Sequence, residues 1–139
     1  MSRSGYTDDW DGDNWQMIMA NGAYQKAVKG KRGQAFLREA LAVLEAMETK
    51  ELVEDTLQED GAYCVLGAVG AARGLNLDEI NTNNYPQLSQ VFNISKTLAR
   101  QLMHENDEWV EWRVGMTPAE ERHKRWLAVH RYLSMSIRN

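Results

Sequence analysis

Gln34-Ala-Phe-Leu-Arg-Glu-Ala-Leu-Ala-Val-Leu-Glu-Ala-Met-Glu48 is the stretch whose reading decides the fold class. Phe36, Leu37, Ala40, Leu41, Val43, Leu44 and Met47 recur at helical spacing and make one apolar face. Ala and Glu fill most of the remaining positions, and these residues lose little side-chain freedom in a helix. An amphipathic face of this width has to be buried against other elements, which points to a packed, mainly α architecture.

Towards the N-terminus, Gly30-Lys-Arg-Gly33 reads as a break. Before it, Trp15, Ile18, Met19, Ala23 and Ala27 keep helical spacing, so a helix is expected from Asp13 or Asn14 to about Lys29. Gly22 weakens that helix by ~1 kcal/mol relative to alanine. Residues 1–12 are polar, with Gly5, Gly12 and a run of aspartates, and read as a flexible acidic lead to a domain over 13–139. Towards the C-terminus, Gln58-Glu-Asp-Gly61 is a turn signal because glycine accepts positive φ, and a small two-stranded hairpin is expected near residues 51–65. A short helix from Leu66 to Arg73 should stop at Gly74. Residues 75–87 read as loop, Leu88–Phe92 as a short helix, Ser95–His104 as a helix capped by the Ser95 hydroxyl, and 105–116 as irregular. Thr117-Pro-Ala-Glu120 is a helix start, with Thr as cap, Pro at the first position and Glu closing a capping box. Glu121 and Arg125 stand i,i+4 in the favourable order. Trp126, Leu127, Val129, His130, Leu133 and Ile137 then supply an apolar stripe. The sum is a mainly α single domain of about five or six helices.

Composition agrees with a folded chain: 139 residues, 43% hydrophobic and 26% charged, enough to bury a core of its own. The net charge of -4 is unevenly spread. Residues 1–25 carry -3, 26–38 carry +5, 39–60 carry -7, 61–105 balance, 106–111 carry -3 and 112–139 carry +4. Such blocks bear on partners more than the total does. No apolar run approaches the ~18 residues of a membrane helix. The single cysteine, Cys64, and the lack of an apolar leader segment point to a reducing cytoplasm.

Few constellations carry chemistry. Asp9-Trp10-Asp11-Gly12-Asp13 opens like a calcium loop, but Asn14 stands where the turn needs Gly and Ala20 where the bidentate Glu belongs. Cys64 lies in Ala-Tyr-Cys-Val-Leu-Gly-Ala, where a small buried thiol is a better account than a nucleophile served by His104, His123 or His130. One Cys and three scattered His offer no zinc spacing, so no metal and no cofactor are expected. Gly67-Ala-Val-Gly70 lacks the Lys-Ser/Thr of a phosphate loop and reads as close packing.

The most specific local pattern is Leu88-Ser-Gln-Val-Phe-Asn-Ile-Ser-Lys-Thr-Leu-Ala-Arg-Gln-Leu102, a helix-turn-helix-like run with its turn at Asn93. Asn tolerates the left-handed conformation that such a turn requires. The pattern would expose Ser95, Lys96, Thr97 and Arg100 for DNA contact, although Glu105, Asp107 and Glu108 follow at once.

Several stretches, in order, carry a wider likeness. They are Met1-Ser-Arg-Ser-Gly-Tyr6 with Asp8 and Asp9, Gly30-Lys-Arg-Gly-Gln-Ala-Phe-Leu-Arg-Glu39, Asp60-Gly-Ala-Tyr-Cys-Val-Leu-Gly-Ala-Val-Gly-Ala-Ala-Arg-Gly74, Glu105-Asn-Asp107 and Thr117-Pro-Ala-Glu-Glu-Arg122. Together they resemble a family of small uncharacterised phage and prophage proteins, and the likeness spans most of the chain. It implies a setting, a phage accessory gene expressed in a bacterial host, and no activity. Within it Lys31, Arg32, Cys64, Gly67, Asn106 and Asp107 are motif residues without an assigned role. The Trp109-Val110-Glu111-Trp112 run departs from the pattern.

Three functions are therefore expected, in descending order. The first is a non-enzymatic accessory protein contacting a bacterial host defence or regulatory protein, with Trp10, Trp15, Trp109 and Trp112 as contacts because Trp is enriched at interface hot spots. The second is a DNA-binding regulator using residues 88–103, with nucleic acid as partner. The third and weakest is a Cys64-dependent enzyme. No membrane partner is implied, and the pattern sets no oligomeric state.

Overall fold

The amphipathic runs resolve into helices whose apolar faces meet in one core. A computed structural model describes residues 14–108 and 113–138, with side chains from 22 to 107 and 113 to 138. Among them are six α-helices: α1 (Asn14–Lys29), α2 (Lys31–Ala46), α3 (Val65–Ala72), α4 (Tyr85–Phe92), α5 (Lys96–Glu108) and α6 (Pro118–Ser136). A two-stranded antiparallel sheet joins β1 (Gln58–Glu59) to β2 (Ala62–Tyr63), with Gln58 opposite Tyr63 and Glu59 opposite Ala62. The expected mainly α fold with a small hairpin is thus present. The hairpin turns on Asp60 and Gly61, both at positive φ (50° and 81°), the backbone of a tight two-residue loop that follows the strand twist.

The core is made by Leu37, Ala40 and Leu44 of α2, Val65, Leu66 and Val69 of α3, Leu88 and Phe92 of α4, Leu98, Leu102 and Met103 of α5, and Val129 and Leu133 of α6. Each large side chain so buried contributes roughly 1.5–3 kcal/mol by leaving water. At the centre lies α5, which packs against α1, α3, α4 and α6. No described helix is long and apolar enough to cross a membrane.

The punctuation signals do what their chemistry allows. Gly74 (φ 77°) ends α3 in a paired cap, Leu75 N–H donating to the Gly70 carbonyl (2.9 Å) and Gly74 N–H to that of Ala71 (3.0 Å). Thr117 Oγ1 accepts the Glu120 N–H at 3.1 Å. Asn93 adopts φ 55°, ψ 50° between α4 and α5, and Ser95 Oγ accepts the Leu98 N–H at 3.0 Å.

Four boundaries differ from expectation. The break before α2 is the single residue Gly30, and Gly33 belongs to the first helical turn. A Cβ on Gly33 would stand 1.8 Å from the Ala27 carbonyl oxygen, so glycine there lets α2 fold back tightly on α1. Helix α4 starts at Tyr85, inside the expected loop, because Asn84 caps it by accepting the Gln87 N–H (3.1 Å) and Pro86 suits a first turn. Residues 105–108 continue α5. In the hairpin region, 51–53 has no regular structure and 54–57 bends, with Asp55 at φ 62°, so the first strand is confined to 58–59.

Candidate functional site

The chemistry-bearing residues gather at opposite ends of α5. At its C-terminal end, Asn106 is fully buried. Its Nδ2 donates to the Val53 carbonyl (2.8 Å) and to Asp107 Oδ1 (2.9 Å), and its Oδ1 accepts the Val65 N–H (3.0 Å) at the start of α3. Asp107 Oδ1 also accepts the N–H of Asp55, a non-glycine residue at φ 62°. Arg125 of α6 is 2% exposed. Its Nε donates to the Asn106 carbonyl (2.7 Å), and its guanidinium pairs with Glu121 (3.0 Å) and Glu54 (3.3 Å). Burial raises the Glu54 carboxyl above its ordinary range, against the pull of Arg125 and with the help of Asp55, Glu121 and Asp107.

Cys64 completes this end. The thiol is fully buried and caps α3, its Sγ accepting the Gly67 N–H at 3.3 Å. A Cβ on Gly67 would lie 1.8 Å from the Leu57 carbonyl oxygen. Four residues that the sequence left without a role, Cys64, Gly67, Asn106 and Asp107, therefore converge on one task. They join α3, the 53–57 segment and α5. Arg125, which sequence reasoning placed only in a surface i,i+4 pair, is the buried cation that α6 adds. Its signal was the pairing with Glu121; nothing local foretold its burial. Among the described residues, no group of three or more His, Cys, Asp or Glu side chains is placed to hold a metal ion.

The N-terminal end of α5 is the reverse. Lys96 and Arg100 are exposed on successive turns, and Thr97 is half-buried. The Arg100 guanidinium lies 5.2 Å from the ring centre of Tyr85 on α4, a cation–π contact that leaves the charge in solvent. The α1–α2 corner adjoins this end: Leu98 Cδ2 lies 3.5 Å from where a Gly33 Cβ would stand. That corner exposes Lys26, Lys29, Lys31 and Arg32. Among the described residues none of these six cations forms an ion pair, and residues 22–38 and 85–104 contain no carboxylate at all. The two basic segments are remote in sequence, and the fold brings Gly33 of one against Leu98 of the other. Gln101 and His104, on the outer side of α5, are half-buried like Thr97, so α5 is flanked by its neighbours along this stripe.

Two further surfaces stand apart. Glu39, Ala42, Val43, Ala46, Met47 and Ala72 line an open apolar depression of about 370 Å³ between α2 and α3. At its edge Arg73 binds Glu39 in a two-point bridge (2.6 and 2.8 Å), whose hydrogen bond holds the Glu39 carboxyl below its ordinary range. On α6 the Trp126 indole stacks with His130 (4.8 Å, 17°) and His123 (6.4 Å, 8°), under Lys50 at 5.3 Å. The expected contacts Trp10, Trp109 and Trp112, the side chain of Trp15 and the 1–12 lead lie outside the described residues. No protein-family model, no curated protein and no solved structure matches the chain.

Proposed function

We propose that this chain is a non-enzymatic nucleic-acid-binding protein that grips the phosphate backbone through the N-terminal half of α5, with α4 as its brace. The observation that carries the reading is that Lys96 and Arg100 stand exposed beside the α1–α2 corner, outside any ion pair among the described residues and in a stretch, 85–104, without a carboxylate. Phosphate affinity depends on cations that displace counterions, and a cation already paired with a carboxylate gains less. The left-handed Asn93 turn between α4 and α5 and the Ser95 cap on α5 are the local features that support a helix-turn-helix-like reading. The half-buried Thr97, Gln101 and His104 favour backbone contact over base reading, since a reading helix has to stand clear of its neighbours to enter a groove. The buried, capping thiol of Cys64 speaks against nucleophilic chemistry. The sequence resemblance supplies the setting, an accessory protein of a phage or prophage acting in a bacterial cytoplasm.

The test is fluorescence anisotropy with a labelled duplex of about two helical turns. Binding at low salt is expected, with Lys96→Glu/Arg100→Glu weakening it roughly tenfold or more. Absence of binding by the wild type, or full binding by the double variant, would refute the reading.

A second reading, contact with a bacterial host protein, draws on the apolar depression at Val43 and Met47 and on the exposed side chains of Val114, Leu127 and Met135. Val43→Asp should then abolish co-purification of a host partner while leaving duplex binding intact; a partner retained by the variant counts against this surface.

A further inference from the structure

We infer that the α1–α2 corner is a second phosphate contact, and that the two cationic tracks together take a double-stranded nucleic acid rather than a single strand. The inference rests on the nucleic-acid reading of α5 and adds the corner and the strandedness of the ligand. Three observations carry it.

The first is rigidity. Gly33 brings the first turn of α2 against the Ala27 carbonyl, and Leu98 of α5 packs on the same glycine. Corner and α5 are thereby locked into one body, and helices packed side by side run ~8–10 Å apart. The duplex grooves are about 6 and 12 Å wide. Long, flexible cationic side chains on helices so packed can reach phosphates on both walls of one groove. A single strand offers no second wall at fixed distance.

The second is charge. Lys26, Lys29, Lys31 and Arg32 are exposed, and no carboxylate lies between residues 22 and 38. Among the described residues, none of the four is held in an ion pair.

The third is the state of the aromatic rings. Proteins that hold single strands stack bases on exposed aromatic side chains. Here Tyr85 is 7% exposed beneath Arg100, and Tyr24 is half-buried with its hydroxyl 2.7 Å from that of Tyr132. Among the described residues, neither tyrosine of α1 and α4 offers an open face.

Salt dependence separates one track from two. Two phosphate contacts predict a loss of about tenfold in affinity between 50 and 200 mM salt, and six contacts a loss of about a thousandfold. The experiment is anisotropy of the full chain against a duplex and against its isolated strand, over that salt range. It is run for the wild type, for Lys31→Gln/Arg32→Gln and for Lys96→Gln/Arg100→Gln, with circular dichroism as the check that each variant is folded. Expected are the steep loss for the wild type, a duplex preference of at least about tenfold, and a log–log slope shallower by about two in either variant. A corner variant with wild-type affinity and slope, while the α5 variant is impaired, overturns this inference and leaves the α5 reading standing. Equal affinity for duplex and single strand also overturns it. A wild type that binds neither ligand removes the underlying reading itself.

Discussion

At the C-terminal end of α5, Asn106 is fully buried, and both polar atoms of its side chain are engaged with partners. Ten and six residues earlier, about 15 and 9 Å along the same helix, Lys96 and Arg100 stand in solvent without a carboxylate partner among the described residues. The charges at both ends run against the helix dipole. No acid sits in the first turn, where it would stabilise, and no base in the last. At the C-terminal end the conflict is resolved locally, because Arg125 reaches in from α6 and the acidic side chain of Asp107 accepts the Asp55 N–H. At the N-terminal end the Ser95 hydroxyl caps the helix, but among the described residues no carboxylate meets Lys96 or Arg100. Polar groups that are buried and saturated serve the fold; cations left exposed against their own helix dipole cost a little stability, in keeping with the proposed phosphate contact.

Four substitutions test this contrast. Asn106→Leu strands the Val65 N–H and the Val53 carbonyl in the interior. It should lower stability by about 3 kcal/mol or more in urea unfolding; a loss below that of an ordinary surface change would mean that the node is not structural. Arg125→Met takes the donor from the Asn106 carbonyl and leaves Glu54 and Glu121 uncompensated. A loss of about 2–3 kcal/mol is expected, the ion-pair share being limited by the solvent exposure of Glu54. Lys96→Glu should do the opposite, gaining about 0.3–1 kcal/mol by meeting the helix dipole while it weakens duplex binding. Calorimetry showing a destabilised Lys96→Glu would break the comparison.

The smallest effect is that of Glu54→Gln, and its sign follows from the raised carboxyl. The folded protein holds the Glu54 proton more tightly than the unfolded chain, so ionising Glu54 costs stability as pH rises through its elevated pKa. The amide should therefore melt slightly higher than the wild type at neutral pH. The difference should close as pH falls below the ordinary carboxylate range. A melting-temperature profile with the gap widening in acid would contradict it.

Much of the fold was legible because its signals are local. The apolar period of 34–48, the Thr117-Pro118 start, Gly74 as helix stop and Asn93 as left-handed turn depend only on neighbouring residues. Two of the misreadings share a physical source, a contact beyond the neighbouring residues. Gly33 looked like a breaker because its missing side chain was read as freedom, when it serves a close approach by Ala27. Leu127 was assigned to the buried stripe and is 48% exposed, whereas Arg125 two positions earlier is buried; which side of α6 faces inward is set by Asn106 and the 53–57 segment, remote in sequence. The candidate site was half legible. Lys96 and Arg100 were expected at the surface, but their meeting with the basic corner is a tertiary event that no spacing encodes.

The Asn106 bridge also bears on the order of assembly. It spans 41 residues to Val65 and 53 to Val53, so the leading amide of α3 and the 53–57 segment find their partner only after α5 has been made. A nascent chain that has emerged only as far as residue 105 holds α3 with its first N–H lacking that acceptor. The two halves of the sequence are thereby bound to a common folding step, and a fragment cut within the last turn of α5 should behave as an unfolded chain.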